Sequence, residues 1–251
     1  MKHVKIPIPA MFIVATLLFW EAIVRLLEIP AYLLPPPSAV FAAFNLALLN
    51  NFLVTLVEAL AGFVLASMIA FATALLFVRS PLLERGLFPL AITLKTTPLV
   101  AIAPLLVIWL GTGWSSKIIA AALICFFPVL VNSVKGLKAA DAEYFELFQT
   151  LKATKSQEFR KLRIPFCLPY LFSALKISSS LAIVGAIVGE FVGATQGLGY
   201  MIVVSSAHLD TDKLFSAIFA AAFAGIALFQ ILNWVEQRAL SWNKTVNGAM
   251  E

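Results

Sequence analysis

The sequence predicts an all-α membrane protein with six transmembrane helices in one domain that comprises residues 1–251. Its residues are 61% hydrophobic and only 12% charged, whereas soluble domains are about half apolar and about one-quarter charged. Uncharged stretches such as Ala59–Val78 and Leu214–Val235 recur along the chain, and roughly 20 apolar residues let a helix cross a bilayer. The low charge excludes a disordered chain, and two cysteines in or beside apolar runs exclude a disulfide-stapled module.

The first transmembrane helix is predicted at residues 8–27. A short basic start precedes it, as in signal peptides, but the apolar run continues to Leu27 without a small-residue cleavage site. We therefore expect a retained anchor. Glu21 and Arg25 are four residues apart and can pair on one helix face. The other five helices are predicted at residues 56–78, 88–110, 115–134, 170–192 and 214–236.

The connection between the first two helices, residues 28–55, contains three consecutive prolines at positions 35–37. Prolines enforce an extended stretch, and Ser38 can cap a helix that follows. Apolar residues then recur on one helix face: Val40, Phe41, Phe44 and Leu48. We expect a short helix along the membrane surface, and packing against the bundle is its alternative role.

The third predicted helix contains prolines at positions 89, 98 and 104. A proline within a helix removes a backbone hydrogen bond, and membrane proteins tolerate such breaks where the freed groups are buried in protein or line a wet path. We predict that a translocation pathway is lined by Lys95, Thr96, Thr97 and Pro98. The alternatives are a purely structural kink and helix packing by the small hydroxyl side chains.

The longest connection, residues 135–169, is predicted to be cytoplasmic. Most of the 18 basic residues fall on its side of the membrane if the N-terminus is cytoplasmic, so the positive-inside rule places both termini there as well. The sequence of this connection predicts two short helices, and in the first of them apolar residues alternate with charged ones. Because long loops between packed helices are usually functional, we predict that a cytoplasmic protein docks here. An amphipathic helix resting on anionic lipid is the alternative.

Ionisable residues inside membrane helices need a partner, water or a function, and three are singled out here: Lys95, Lys176 and Glu190. The last two lie about 21 Å apart along one straight helix, which is too far to pair. Ser179 and Glu190 are further pathway candidates. The alternative for Ser179 is helix packing, and for Glu190 it is pairing with a polar turn at Gly193–Gly199, where a short re-entrant helix is plausible.

Other chemistries find little support in the residues. The two histidines are His3 and His208, and His208 with Asp210 is weak support for a metal, so no metal site and no catalytic residue is predicted. The net charge of +5 does not indicate nucleic-acid binding, because in a membrane protein the distribution of the basic residues across the membrane matters more than the net charge. A membrane-embedded enzyme and a channel or secondary transporter are the alternative classes.

The predicted cytoplasmic connection carries a spaced pattern. Glu146-Leu147-Phe148 is followed after three residues by Lys152, and after nine more by Leu162-Arg163-Ile164-Pro165. This resembles the signature of the permease subunits of bacterial ATP-binding-cassette (ABC) importers, which reads Glu-Ala-Ala, three residues, Gly, nine residues, Ile-x-Leu-Pro. Leu147 and Phe148 replace the two alanines, and Lys152 replaces the glycine. The resemblance implies ATPase docking through Glu146, Leu147, Phe148, Lys152 and Pro165.

Three further stretches resemble nitrate/sulfonate/taurine-type permeases in the same order, at residues 33–40, 98–111 and 189–202. The resemblance covers nearly the whole chain and implies the type I importer permease fold with a cytoplasmic coupling helix. It implies two permease copies in a bacterial plasma membrane, an external solute-binding protein, and a cytoplasmic ATPase dimer that binds ATP and Mg. The chain itself would be no enzyme and would hold no cofactor, since it lacks a phosphate-binding loop.

The resemblance also suggests substrates. Within this type a nitrate-, sulfonate- or taurine-like anion is expected. Related permeases carry thiamine-precursor pyrimidines or riboflavin, and these are the alternative. The basic residues lie mainly on the predicted cytoplasmic side and do not argue for an anion.

Overall fold

The computed structural model describes residues 8–242, and within this range the regular structure is helical. A π-helical turn, Phe159–Arg163, joins α8 to α9. The helices are α1 Ile8–Leu26, α2 Pro37–Ala42, α3 Leu46–Arg79, α4 Pro81–Thr96, α5 Leu99–Leu110, α6 Trp114–Leu137, α7 Ala142–Thr150, α8 Lys155–Glu158, α9 Ile164–Glu190, α10 Leu198–Ala207 and α11 Thr211–Ala239.

Four helices in the described range are long and apolar enough to cross a membrane: α3, α6, the continuous run from α8 to α9, and α11. A fifth span results if α4 and α5 are counted as one. The all-α membrane fold is therefore confirmed, but the predicted count of six is not reproduced. The first predicted helix forms as α1, with 19 residues, and it is not among these spans.

The third predicted helix, residues 88–110, forms as two helices, α4 and α5, with a sharp bend at one of the prolines that predicted a break. Thr97 has an extended ψ of 125°, as expected for a residue whose helical conformation is disfavoured by the proline that follows it. At Thr97 and Pro98 the chain bends by 99° between α4 and α5. Pro89 and Pro104 are accommodated inside their helices. One proline therefore divides the predicted span into two short helices.

Two predicted connections are shorter than expected. α3 begins at Leu46, where the Asn45 side chain accepts a hydrogen bond from the Leu48 N–H at 2.9 Å, so the predicted connection 28–55 ends ten residues early. α6 continues to its end at Leu137, and Thr154 caps the start of α8, so the predicted connection 135–169 shrinks to α7 and its flanks. Side-chain caps, which hydropathy does not register, set the starts of α3 and α8.

α1 is tied to the connection that follows it by a polar cluster. The predicted pair of Glu21 and Arg25 is confirmed at 2.6 Å. The predicted capping role of Ser38 was wrong, because Ser38 lies inside the first turn of α2, after Pro36 as the N-cap. Instead, the Glu21 carboxylate accepts hydrogen bonds from the Ser38 N–H at 3.0 Å and its hydroxyl at 2.8 Å. The carboxylate thus takes the place of a cap.

The centre of the bundle is formed by α3, α6 and α9. They approach closely because small residues face one another, as is common between membrane helices. A Cβ atom added to Gly185 of α9 would lie 2.7 Å from the Ala121 Cα of α6, and one added to Gly62 of α3 would lie 2.6 Å from the Ala121 Cβ. α11 packs on α9, where Lys176 pairs with Glu236 at 2.5 Å. Lys176 therefore has its partner on another helix.

The bundle has two ends, and each is named here by the short helix that lies at it. The starts of α3 and α6 and the end of α9 meet at the α10 end, and the opposite ends of these helices meet at the α7 end. The predicted cytoplasmic location of both chain termini concerns residues outside the described range.

Candidate functional site

α7 is an amphipathic helix attached to the bundle by one face. The rings of Tyr144 and Phe166 pack with their centroids 5.3 Å apart, and the Arg163 guanidinium lies 4.7 Å from the centroid of the Phe145 ring. The other face is solvent-exposed and carries Glu143, Glu146, Leu147 and Thr150, which share a face because residues three and four apart are neighbours on a helix. Leu147 is 52% exposed. Such a face suits a protein partner.

The residues of the predicted docking pattern are distributed over three places. Glu146 and Leu147 lie on the exposed face of α7, and Phe148 is half-buried behind them. Lys152 follows the helix. Pro165 is half-buried in the first turn of α9, directly after the π-helical turn. Since proline has no N–H to donate, it is compatible with the change of hydrogen-bond register at that turn.

Lys152 ends α7 in a left-handed conformation, with φ 51°. Its N–H donates to the Gln149 carbonyl, and the Ala153 N–H donates to the Phe148 carbonyl, both at 2.9 Å. This is the hydrogen-bond pattern of a Schellman motif, in which the left-handed residue is usually glycine. The structure therefore explains physically why a glycine suits this place in the signature, and it shows that lysine adopts the same turn.

We expect Lys152→Gly to stabilise the chain by about 0.5–1 kcal/mol. The substitution removes the backbone strain of a left-handed residue that carries a side chain. Part of this stabilisation is lost because glycine has more conformational freedom in the unfolded chain. The check is the Tm of the purified chain in detergent. Lys161→Gly, at a helical position on the same side of the bundle, is the control and should lower the Tm. A Tm that falls equally in both variants would contradict the turn at Lys152.

The four pathway candidates around the third predicted helix lie together at the bend between α4 and α5. They line a cavity of about 240 Å³, and the Phe126 and Phe127 side chains of α6 line it with them. The ammonium of Lys95 lies 4.8 Å from the centroid of the Phe127 ring. The hydroxyls of Thr96 and Thr97 donate to the Thr93 carbonyl at 2.9 and 3.0 Å. We call this space the bend cavity; it is lined by one ammonium group, which contacts the Phe127 ring, by two hydroxyl groups and by two aromatic rings.

Ser179 and Glu190 do not line the bend cavity. Ser179 is buried, and its hydroxyl donates to the Lys176 carbonyl at 2.8 Å within the same helix. Glu190 is buried at the α10 end of the bundle. Sequence reasoning missed Phe126 and Phe127, because two aromatic residues in an apolar helix carry no signal of what they face.

In the described part of the chain, no group of three or more His, Cys, Asp or Glu side chains is placed to hold a metal.

At the α10 end, side chains of α3 and α9 bind the first turn of α10. The Glu190 carboxylate accepts hydrogen bonds from the Gly199 N–H at 2.5 Å and from the Thr55 hydroxyl at 2.6 Å. The Thr55 oxygen in turn accepts from the Leu198 N–H at 2.7 Å. Glu190 thus adopts the structural pairing with the glycine-rich turn that was the alternative to a pathway role.

Asn51 completes this arrangement by accepting a hydrogen bond from the Gly197 N–H at 2.7 Å. Gly197 has φ 110°, and a Cβ atom there would collide with the Glu190 carboxyl group. Because glycine has no side chain with which to cap its own helix, the first N–H groups of α10 need acceptors from elsewhere. We call Asn51, Thr55 and Glu190 the α10 clamp.

Two more ionisable side chains are buried beside the clamp. Glu58 is 3% exposed and Lys117 is 2% exposed, and the charge of Glu58 interacts with both Glu190 and Lys117. The Lys117 ammonium donates to the carbonyls of Thr112 and Gly113. Glu58 attracts Lys117 but repels the like charge of Glu190, and its Oε2 atom has no hydrogen-bond partner within residues 8–242. Sequence reasoning missed Glu58, although it is the single acidic residue of α3.

Comparison with known proteins identifies the family. Residues 62–241 match the family described as binding-protein-dependent transport system inner membrane component. The chain is 34% identical to the formylaminopyrimidine transport permease protein ThiX of Halalkalibacterium halodurans, with 94% of this chain and 96% of that protein covered. It is 34% identical to the riboflavin transport system permease protein RibX of Chloroflexus aurantiacus (90% and 86%), and 27% identical to the taurine transport system permease protein TauC of Escherichia coli (98% and 92%).

The fold is similar to that of a solved structure of the MetNI methionine ABC transporter in an inward-facing conformation. The TM-score is 0.59 at 17% sequence identity, with 74% of this chain and 96% of that chain covered. In this family ATP is hydrolysed by a separate subunit, so the chain is not itself an enzyme and has no cofactor of its own. The chain belongs to the family of binding-protein-dependent transport system inner membrane components and is a multi-pass permease subunit of an ABC importer of the nitrate/sulfonate/taurine type.

Proposed function

We propose that two copies of this chain form the pathway of an importer for a small anion, which an external solute-binding protein delivers. The observation that carries the proposal is the bend cavity, where the ammonium of Lys95 stands beside the hydroxyls of Thr96 and Thr97. A cation in a cavity with apolar walls attracts anions strongly, because low-dielectric walls focus its field. The Thr96 and Thr97 hydroxyls can donate to an anion only when they release the Thr93 carbonyl.

The exposure of α4 and α5 supports a homodimer. Ala91 is the buried residue of α4, and Ala103 and Leu106 are those of α5. Apolar side chains of both helices are otherwise uncovered in the single chain, among them Leu90, Val100 and Ile108. A second copy against this surface would enclose the bend cavity between two subunits.

The exposed face of α7 supports the docking of a cytoplasmic ATPase dimer that binds ATP and Mg. We propose that the α7 end of the bundle faces the cytoplasm. The basic residues at this end support that orientation by the positive-inside rule; they include Arg79, Lys135, Lys138, Arg160, Lys161 and Arg163.

Lys95→Gln is expected to lower anion uptake by about 10-fold to 100-fold. A hydrogen bond to a charged group contributes about 1.5–3 kcal/mol, and the glutamine amide removes the charge while keeping a donor. The measurement is uptake of labelled taurine and nitrate by cells that express the whole transporter. Lys95→Arg should retain most of the uptake, whereas equal uptake by wild type and Lys95→Gln would show that Lys95 does not contact the solute.

A second candidate solute is a planar heterocycle such as a pyrimidine or a flavin. Two observations favour it: the 34% identity to the relatives named for formylaminopyrimidine and riboflavin transport, and the two aromatic rings that line the bend cavity, Phe126 and Phe127, since aromatic rings pack against one another. The two candidates respond differently to mutation. Phe127→Ala should impair uptake of a heterocycle more than Lys95→Gln does, and the order should be reversed for an anion.

A further inference from the structure

A second cavity lies at the α7 end and shares no lining residue with the bend cavity. It has a volume of about 620 Å³ and opens between the end of α3 and the run from α8 into α9. Four basic residues line it, with one carboxylate: Arg79, Lys155, Arg160, Arg163 and Glu158. The cavity therefore carries a clear excess of positive charge.

One of the four basic side chains is committed to the protein. Arg163 pairs with Glu158 at 2.9 Å and donates to the Leu137 carbonyl of α6 at 3.2 Å. Arg79, by contrast, lies with its guanidinium 5.8 Å from the centroid of the Phe159 ring, which holds it beside the cavity. Within residues 8–242, the ion pairs do not involve the other three basic side chains. Their donors are thus available to a ligand.

The cavity is placed where helices of membrane-spanning length end. Arg79 is the last residue of the span formed by α3, and Arg160 lies in the first turns of the span Lys155–Glu190. Val78 and Phe159 add apolar walls to the same cavity. Arg79 directly follows the uncharged stretch Ala59–Val78, which is long enough to cross the hydrocarbon core. The basic side chains are therefore expected at the level of the lipid headgroups, with Val78 at the edge of the hydrocarbon region.

Phosphate is the anion that this geometry suits. Arginine guanidinium groups bind phosphate oxygens through paired hydrogen bonds, and basic pockets between transmembrane helices on the cytoplasmic side bind phospholipid headgroups. A soluble phosphate would use the basic side chains alone, whereas a phospholipid would also use the apolar walls.

We propose that this cavity binds the headgroup phosphate of an anionic membrane phospholipid, with Arg79, Lys155 and Arg160 as its donors and an acyl chain along Val78 and Phe159. The proposal rests on the proposed orientation, in which the α7 end faces the cytoplasm. It assigns the chain a lipid site that is separate from solute translocation.

The test is native mass spectrometry of the full chain in detergent, titrated with phosphatidylglycerol or with phosphatidylcholine. At about 0.3 M salt, attraction to distant surface charges is largely screened, so direct contacts dominate. Wild type should retain phosphatidylglycerol in preference to phosphatidylcholine. Arg160→Gln should weaken the first phosphatidylglycerol by about fivefold, which corresponds to about 1 kcal/mol for one basic residue at the membrane surface.

Lys161→Gln is the matched control, since Lys161 is exposed next to Arg160 and does not line the cavity. It should change binding less than twofold, and Arg160→Lys should recover part of the affinity if Arg160→Gln acts through the charge and not through misfolding. Equal effects of Arg160→Gln and Lys161→Gln would overturn the site. Displacement of the lipid by millimolar inorganic phosphate, without preference between the two lipids, would overturn the lipid assignment in favour of a soluble anion. The outcome is independent of which solute the importer carries.

Discussion

Glu146→Lys is expected to abolish co-purification of the ATPase while the permease still inserts and folds. Glu146 stands on the exposed face of α7, beside the exposed Leu147, and its side chain supports no contact within the bundle that the substitution would break. Truncating one partner of a buried interface charge pair costs about 2–5 kcal/mol, and reversing the charge adds repulsion, so we expect the complex to weaken by at least about 30-fold. The measurement is the ratio of ATPase to permease after affinity purification in mild detergent.

Gln149→Lys provides the control, because it adds a lysine to the same helix at an exposed position outside the face that carries Glu146. It should retain most of the ATPase. A stoichiometric ATPase in the Glu146→Lys preparation would refute the docking role of α7. Equal loss in both variants would mean that the total charge of α7 matters and that Glu146 has no special position.

Glu190→Ala is expected to destabilise the chain by about 3–5 kcal/mol, the cost of removing one partner from a buried charged network. The substitution leaves the Gly199 N–H without its acceptor and leaves the Thr55 hydroxyl with only its longer bond to the Asn51 carbonyl, at 3.2 Å. It also leaves Lys117 with less compensating charge. For a chain of this size, we expect the Tm to fall by about 10 °C. Thermal unfolding of the purified chain in detergent measures it.

Two variants make this result specific. Glu190→Gln keeps an acceptor for the Gly199 N–H and should cost less than the alanine. Glu84→Ala removes the partner of Lys138 from an exposed pair with a separation of 2.6 Å, and such pairs contribute up to about 1 kcal/mol. A Glu190→Ala protein as stable as Glu84→Ala would show that the α10 clamp does not hold the end of the bundle.

The sequence predicts the helical membrane class well, because spanning a bilayer requires long uncharged stretches. α6, α9 and α11 form close to their predicted positions. Helix boundaries were less predictable where a side chain rather than hydropathy decides them, as Asn45 does for α3. The bend at Pro98 illustrates the same limit, since the proline was visible but the angle depends on how α4 and α5 pack.

The candidate sites differ in how far the sequence could predict them. The residues of the bend are contiguous, and those of the docking pattern lie between positions 146 and 165, so the sequence alone grouped each set. The α10 clamp joins Thr55 to Glu190 across 135 positions, and no local pattern reports such a contact. Glu58 could have been noticed as an acidic residue inside a membrane helix, since such residues are costly without partners.

The α10 clamp also has a consequence for the biosynthesis of the protein. α3 is made before α6, and both are made before α9 and α10, so Glu58 and Lys117 reach the membrane before Glu190 and Gly197–Gly199 exist. An ionisable residue within an inserting helix is costly until it finds a partner. A nascent chain arrested before residue 197 would hold the Asn51 and Thr55 acceptors without their N–H partners. The glycine turn Gly197–Gly199 is made long after α3 and supplies the hydrogen-bond partners that the polar side chains of α3 lack until then. A truncated chain would therefore display unsatisfied polar groups that membrane quality-control proteases can recognise.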